Sequence, residues 1–284
     1  MDKDEVNQDL RDLLRTAFGE PPHQVTVAAV RRRVVRRRAI EAVAGAAAVV
    51  AVISIAVPAL GAIFGGQSPS AGRAHRVIVY VGNNGSGTVT PIRAATNTAL
   101  PPIKAGDNPD FIAITPDGRT AYVANNGSGT VTPIRTATNT ALKPIKLTSH
   151  AEAIAITPDG RTAYAISGGG TVTPIRTATN TALKPVKVGT YPIAMAITPD
   201  SKTAYVVNNI SNTVTPIRVA TNTALRPVKV GEGPRDIAIT PDGKTAYVAN
   251  NGGTVTPIRT AANTALKDIK MKGGLWALTI VIVR

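Results

Sequence analysis

At 284 residues the chain is long enough for one large all-β domain or two ordinary ones. It has no cysteine, which excludes disulfides and thiolate metal sites, and an aromatic content of 4% argues against a surface that stacks bases. A formal charge of +15 makes polyanions or an anionic surface conceivable partners, and 23 of the 32 basic residues fall within residues 73–284.

Residues 1–38 open with Val6, Leu10, Leu13, Leu14 and Phe18 at helical spacing, which predicts one small amphipathic helix. They end in RRRVVRRR, Arg31 to Arg38. The next 26 residues, 39–64, predict a transmembrane helix: Ala42 to Phe64 carry no charge, and 23 helical residues span about 34 Å against a hydrocarbon core of about 30 Å. Because positive flanks stay inside, residues 1–38 are expected to be cytoplasmic and everything after residue 64 outside the cell membrane. The competing reading is a cleaved export signal, with Pro58 followed by the small residues Gly61 and Ala62, giving a secreted protein. Residues 65–76 read as a Gly/Ser/Pro linker.

From residue 77 the chain repeats itself. Pro116, Pro158, Pro199 and Pro241 mark a Thr-Pro-Asp turn at spacings of 42, 41 and 42, the length of a propeller blade. Each unit divides into four short strands. The first, as in Phe111 to Thr115, ends at the turn; Thr120 to Asn126 follows; then TVTPIRTAT; then ALKPIKL. Pro133 and Pro144 are expected to interrupt the third and fourth strands, which places them in the outer half of the blade, with charged Lys143 and Lys146 on its edge. Tyr80, Tyr122, Tyr164, Tyr205 and Tyr247 count five second strands. The repeats open on a second strand and close on LWALTIVIVR, which resembles a first one. The fold class expected is therefore an all-β propeller of about five four-stranded blades, closed by pairing of the N- and C-terminal strands.

The stretches YVANN at Tyr122 and Tyr247, YVVNN at Tyr205, the four ATNTAL copies and ITPDG resemble the YVTN family of β-propeller repeats over residues 77–284. The resemblance implies an extracytoplasmic binding or surface protein and, more remotely, lactonase-like or quinone-dependent oxidoreductase propellers. Three departures stand out: Arg93, Arg135, Arg176, Arg218 and Arg259 where the family usually has aspartate, a degraded copy at Tyr164, and five units where seven blades are common. A truncated chain or a ring completed by a second subunit is the alternative to closure.

Catalytic candidates are poor. His23, His75 and His150 are scattered without metal-ligand spacing, and Asp117, Asp159, Asp200 and Asp242 occupy turn positions that favour aspartate for local hydrogen bonds. No catalytic residue, metal site or cofactor is assigned. The informative positions are those where the copies differ, in the connections AGDNPD, LTSHAE, VGTYPI, VGEGPR and MKGGLW. They are expected to gather Asp107, Asn108, Asp110, His150, Glu152, Tyr191, Glu232, Arg235 and Trp276 around the channel mouth as ligand-binding residues.

The function expected is a membrane-anchored, non-catalytic binding or scaffolding module at the cell surface. The alternative is an exported propeller enzyme, a lactonase-like hydrolase or quinone-dependent oxidoreductase. Expected partners are the membrane and either a surface protein or an anionic cell-envelope polymer held by Arg93, Arg135, Arg176, Arg218 and Arg259; nucleic acid is disfavoured.

Overall fold

The computed structural model describes residues 77–275 and 277–280. The readings for residues 1–76 (amphipathic helix, arginine cluster, membrane span and linker) lie outside the described residues, as does Trp276. Among the described residues no helix is long and apolar enough to cross a membrane.

Among the described residues five antiparallel sheets follow one another. The second sheet sets the pattern: β5 (Pro109–Ile114), β6 (Thr120–Asn125) and β7 (Thr130–Arg135) form a meander, and two short pieces, β8 (Thr140–Ala141) and β9 (Ile145–Lys146), both pair with β7. The third, fourth and fifth sheets repeat it, with innermost strands β10 (Ala151–Ile156), β15 (Pro192–Ile197) and β20 (Pro234–Ile239). The first sheet has β1 (Ile78–Asn83), β2 (Thr88–Arg93), β3 (Thr98–Ala99) and β4 (Ile103–Lys104), and no strand lies inside β1 among the described residues.

One expectation is corrected here. Pro133 does not interrupt the third strand: β7 is continuous, with Tyr122 opposite Pro133. The break falls entirely in the fourth strand, at Lys143 and Pro144, between β8 and β9. The Pro133 carbonyl accepts from Leu142 N–H at 2.7 Å, so it faces the outer strand. In a β-strand the N–H and C=O of one residue share a side, so the missing proline N–H also faces outward, opposite the break, and the inner ladder loses nothing.

The Thr-Pro-Asp turn closes on itself. Gly118 N–H donates to Thr115 O at 2.7 Å, and Asp117 Oδ1 accepts from the Thr115 hydroxyl at 2.6 Å and from Arg119 N–H at 3.0 Å. Those bonds hold the Asp117 carboxyl below its ordinary range, and the same bonds at Asp200 and Asp242 do likewise. At Asp159 burial pushes the other way and the hydrogen bonds outweigh it. The aspartates build the turns.

Neighbouring blades pack through one recurrent face. Tyr122, Tyr164 and Tyr205 are fully buried, and each phenol reaches across to the turn asparagine of the following blade at 2.6 Å: Asn180, Asn222 and Asn263. Tyr80 makes the same bond to Asn139 at 2.7 Å. Around each tyrosine lie aliphatic side chains, such as Val172, Val186, Ala204, Val206 and Ile217 about Tyr164.

Burial, assisted by the charges of Asp117, Asp159 and Asp200, pushes the Tyr122, Tyr164 and Tyr205 phenols up to about 12. The unfolded phenol ionises near 10.0, so these groups contribute stability that is complete below that pH and lost as pH rises to about 12. Denaturant unfolding across a pH series should therefore show stability falling through this alkaline window, with phenolate absorbance rising as the fold is lost. Stability unchanged across the window would contradict it.

Inside each blade a second device recurs. The last residue of the second strand is an asparagine whose amide donates across the hairpin to two threonine hydroxyls. Asn125 reaches Thr130 and Thr132 at 3.1 and 3.0 Å, and Asn83, Asn208 and Asn250 bond the equivalent pairs. This asparagine lies against a glycine of the incoming connection: a Cβ on Gly106 would stand 2.8 Å from Asn125 Cγ, and one on Gly189 2.7 Å from Asn208 Cγ. Ser128 Oγ, at 2.8 Å from Gly106, and Ser211 Oγ, at 2.4 Å from Gly189, crowd the same point, so something must shift if the glycine gains a side chain beside the asparagine. The third blade breaks both at once: Thr148 replaces the glycine, Ser167 replaces the asparagine, and Ser167 Oγ and Thr173 Oγ1 are left buried without hydrogen-bond partners.

Candidate functional site

The variable connections are fastened to their own blade's hairpin turn. Asn108, His150, Tyr191 and Gly233 carbonyls accept from Asn126, Gly168, Asn209 and Asn251 N–H at 2.8 to 3.1 Å. Gly127 N–H donates to Asp107 O at 3.0 Å, and Gly252 N–H to Glu232 O at 3.1 Å. Turn glycines make room for the side chains above them: Asp107 and Asn108 lie over Gly127, Glu152 over Gly168, and Glu232 over Gly252. The connections and the turns therefore share one end of the blades.

Four of the five connections enter an innermost strand through a β-bulge among the described residues. Register slips between Pro109 and Phe111, Ala151 and Ala153, Pro192 and Ala194, and Pro234 and Asp236. The extra residues are Asp110, Glu152, Ile193 and Arg235. A bulge leaves one residue out of the ladder and re-aims its side chain, and bulges are over-represented beside active sites. Three of the four are residues the sequence singled out; Ile193 was missed because an aliphatic residue carries no chemical signal.

The surroundings fix several of these groups. Asp110 Oδ1 accepts from Asn84 Nδ2 at 2.9 Å, which joins the first blade to the second. Asn126 and Asn209 likewise donate to the carbonyls of Ala151 and Pro234, at 3.4 and 2.9 Å, just before the bulge. His150 Nδ1 lies 3.1 Å from Asn126 O, an acceptor, so the Nδ1–H tautomer makes this bond and ties the second blade to the third. Asp236, not among the sequence candidates, accepts from its neighbour Ile237 N–H at 2.8 Å and from Leu278 N–H at 2.9 Å. Among the described residues no three of His, Cys, Asp and Glu lie together as a metal-binding group.

Tyr191 occupies a left-handed backbone conformation, φ 56°, that Asn108 and Gly233 share at the equivalent position. Asparagine and glycine adopt it readily; a bulky side chain does so at a cost of roughly 1–2 kcal/mol. Tyr191→Asn should therefore raise stability by about 1 kcal/mol in denaturant unfolding. A loss of stability instead would mean that the half-exposed ring packs productively.

The arginines stand at the other end. Arg135 is opposite Thr120, directly after the Thr-Pro-Asp turn, and Arg176, Arg218 and Arg259 repeat the arrangement. Arg135, Arg176, Arg218 and Arg259 are exposed and Arg93 is half-buried. The lysines of β9 and its counterparts pair opposite Thr130, Thr171, Thr213 and Thr254, at the same end as the variable connections. Acidic turns intersperse the arginines: Asp117, Asp200 and Asp242 pair with Arg119, Lys202 and Lys244 at 3.5 to 4.0 Å.

These sheets and turns match a protein-family model described as lactonase, 7-bladed beta-propeller, over residues 78–271. The chain belongs to that family of β-propellers. Two solved structures share the fold. One is of Kuenenia stuttgartiensis hydrazine synthase, with 22% identity, TM-score 0.60, and 73% of this chain and 72% of that chain covered. The other is of a functionally unknown protein from Desulfotomaculum acetoxidans, with 22% identity, TM-score 0.60, and coverage of 69% and 67%. The comparison with curated proteins found no match.

Proposed function

We propose that this chain is a membrane-anchored, extracytoplasmic propeller of the YVTN type that binds a ligand or surface protein at the end carrying the variable connections. The observation that supports this most is the set of bulges. Four innermost strands hold Asp110, Glu152, Ile193 and Arg235 in one geometry on otherwise near-identical blades. Variation concentrated in one set of connections of a rigid repeat is how a scaffold presents a specific surface. The anchor is residues 39–64, with residues 1–38 inside the cell.

Binding of the purified full-length chain to isolated cell envelope, followed across a salt series, tests the reading. Joint substitution of Asp110, Glu152 and Arg235 by alanine should abolish salt-resistant binding. If binding is instead lost steeply with salt and abolished by Arg135→Glu with Arg176→Glu, the arginine face holds an anionic polymer and the connections are not the site. No binding by either face would overturn the module reading.

The family match supports a second reading, hydrolysis of a lactone at the same end. A pH-stat assay with a panel of lactones separates the two: acid release that disappears in the same triple variant would make the chain an enzyme.

A further inference from the structure

The end of the blades opposite the variable connections forms one basic face. The Thr-Pro-Asp turns of neighbouring blades touch there: a Cβ on Gly160 or Gly243 would stand 3.3 Å from the Cδ of Pro116 or Pro199, and Ser201 Oγ accepts from Asp159 N–H at 3.0 Å. A basic residue, Arg119, Arg161, Lys202 or Lys244, follows each turn aspartate, which already accepts from a threonine hydroxyl and a backbone N–H. The arginines that end the third strands are therefore surplus. Among the described residues Arg135, Arg176, Arg218 and Arg259 are exposed and have no ion-pair partner. At the connection end, by contrast, the strand lysines are interleaved with Asp107, Asp110, Glu152 and Glu232.

Across the third, fourth and fifth blades this face is hollowed into a groove of about 1290 Å³. Arg161, Arg176, Lys202 and Arg218 line it beside Leu183, Val219 and Leu225, so cationic and apolar groups alternate along its walls. The chain also enters at this end. Ile78 opens β1 opposite Arg93, and the carbonyl of exposed Val77 accepts from Ala94 N–H at 3.1 Å. Only residues 65–76 lie between Val77 and the proposed membrane span, and a Gly/Ser-rich linker of that length has a relaxed end-to-end distance of about 20 Å. A six-residue strand such as β5 is itself about 20 Å long. With the arginine end toward the membrane the linker spans the gap relaxed. With the connection end toward it, the linker would have to run the full height of a blade before reaching β1.

We infer that the arginine face docks on the anionic headgroups of the membrane leaflet from which the chain emerges, with headgroups in the groove and the variable connections turned outward to their ligand. The inference rests on the proposed anchor at residues 39–64 and adds an orientation to it. Two independent observations select the same end: where the chain enters, and where positive charge is unmatched. A soluble polyanion would meet the same charge, but only a membrane is brought to this face by the chain's own path. Each basic side chain near an anionic surface favours the docked state about fivefold, and the attraction fades within a Debye length, about 8 Å at physiological salt.

The test uses the full-length chain in bilayers of neutral phosphatidylcholine, with or without anionic phosphatidylglycerol, that carry a quencher on the headgroup. Because the chain has no cysteine, a single fluorophore can be placed by Thr138→Cys, in the exposed turn after Arg135, or by Ser128→Cys, in an exposed hairpin turn at the connection end. In anionic bilayers the label at 138 should be strongly quenched and the label at 128 should not. Quenching at 138 should fall in neutral bilayers and in high salt. In Arg176→Glu with Arg218→Glu the ratio of docked to undocked chain should drop about twentyfold or more, whereas Lys187→Glu with Lys229→Glu at the other end should leave it unchanged. Equal quenching at both labels, or quenching at 138 indifferent to lipid charge, salt and the arginine pair, would overturn the docking and leave the anchor standing. Release of the chain from neutral bilayers by alkaline carbonate would overturn the anchor, and the docking with it. An unquenched label at 138, alongside envelope binding that is lost with salt and with the same arginine pair, would assign the face to a polymer and overturn the inference.

Discussion

Tyr164→Ala is expected to lower stability by about 3–5 kcal/mol, the range for removing a fully buried aromatic side chain. Tyr122→Ala and Tyr205→Ala should match it. Each ring fills the seam between two blades with no exposed surface, and each hydroxyl satisfies an asparagine that stands in a left-handed turn. Tyr164→Phe isolates the hydrogen bond, worth about 1 kcal/mol, from the packing. Tyr247 has the same place in the fifth blade but no following blade among the described residues: it is half-buried, and Ile269 and Met271 beside it are 47% and 49% exposed. Tyr247→Ala should therefore cost much less than Tyr164→Ala in denaturant unfolding of the full-length chain. Equal costs would show that the outer face of the fifth blade is covered in solution.

The blade and its phase were legible because the same residues recur in the same order. A turn that needs Thr, Pro and Asp, and a strand that needs Tyr and Asn, announce themselves when they return every 41 or 42 residues. Asp117 could be assigned to its turn for the same reason, since the aspartate's partners, Thr115 and Arg119, are its close neighbours in sequence.

What was not legible depends on partners far apart in the chain. The bulge at Asp110 is invisible to a reading based on alternation, because one extra residue between Pro109 and Phe111 looks like a loop residue. Pro133 was read as a break because sequence does not say which side of a strand a proline nitrogen faces. Closure of the ring was read from the likeness of LWALTIVIVR to an innermost strand. Trp276 and residues 281–284 of that stretch lie outside the described residues. The candidate binding residues were found by asking where copies disagree. That question returned Asp110, Glu152 and Arg235 and passed over Ile193 and Asp236.

The pairing of glycine with asparagine makes the second large prediction, a reversible one. Gly106→Thr should cost about 3 kcal/mol, since its Cβ meets the Asn125 amide at 2.8 Å and that amide is buried and bonded to Thr130 and Thr132. Asn125→Ser alone should cost about 1–2 kcal/mol through the lost bonds. Together they carry the threonine and serine of the third blade and leave only Ser128 Oγ, also 2.8 Å from that Cβ, to move aside, so the double variant should be more stable than the sum of the two by about 1 kcal/mol. The same cycle runs backwards at Thr148 and Ser167. Ser167→Asn alone should destabilise, because Thr148 stands in the way. Thr148→Gly with Ser167→Asn should gain about 1 kcal/mol over the parent, by giving the orphaned Thr173 hydroxyl a donor. Additive energies in both cycles would mean that the neighbouring turn yields to the added side chain, and that the coincidence of threonine and serine in one blade has no steric cause.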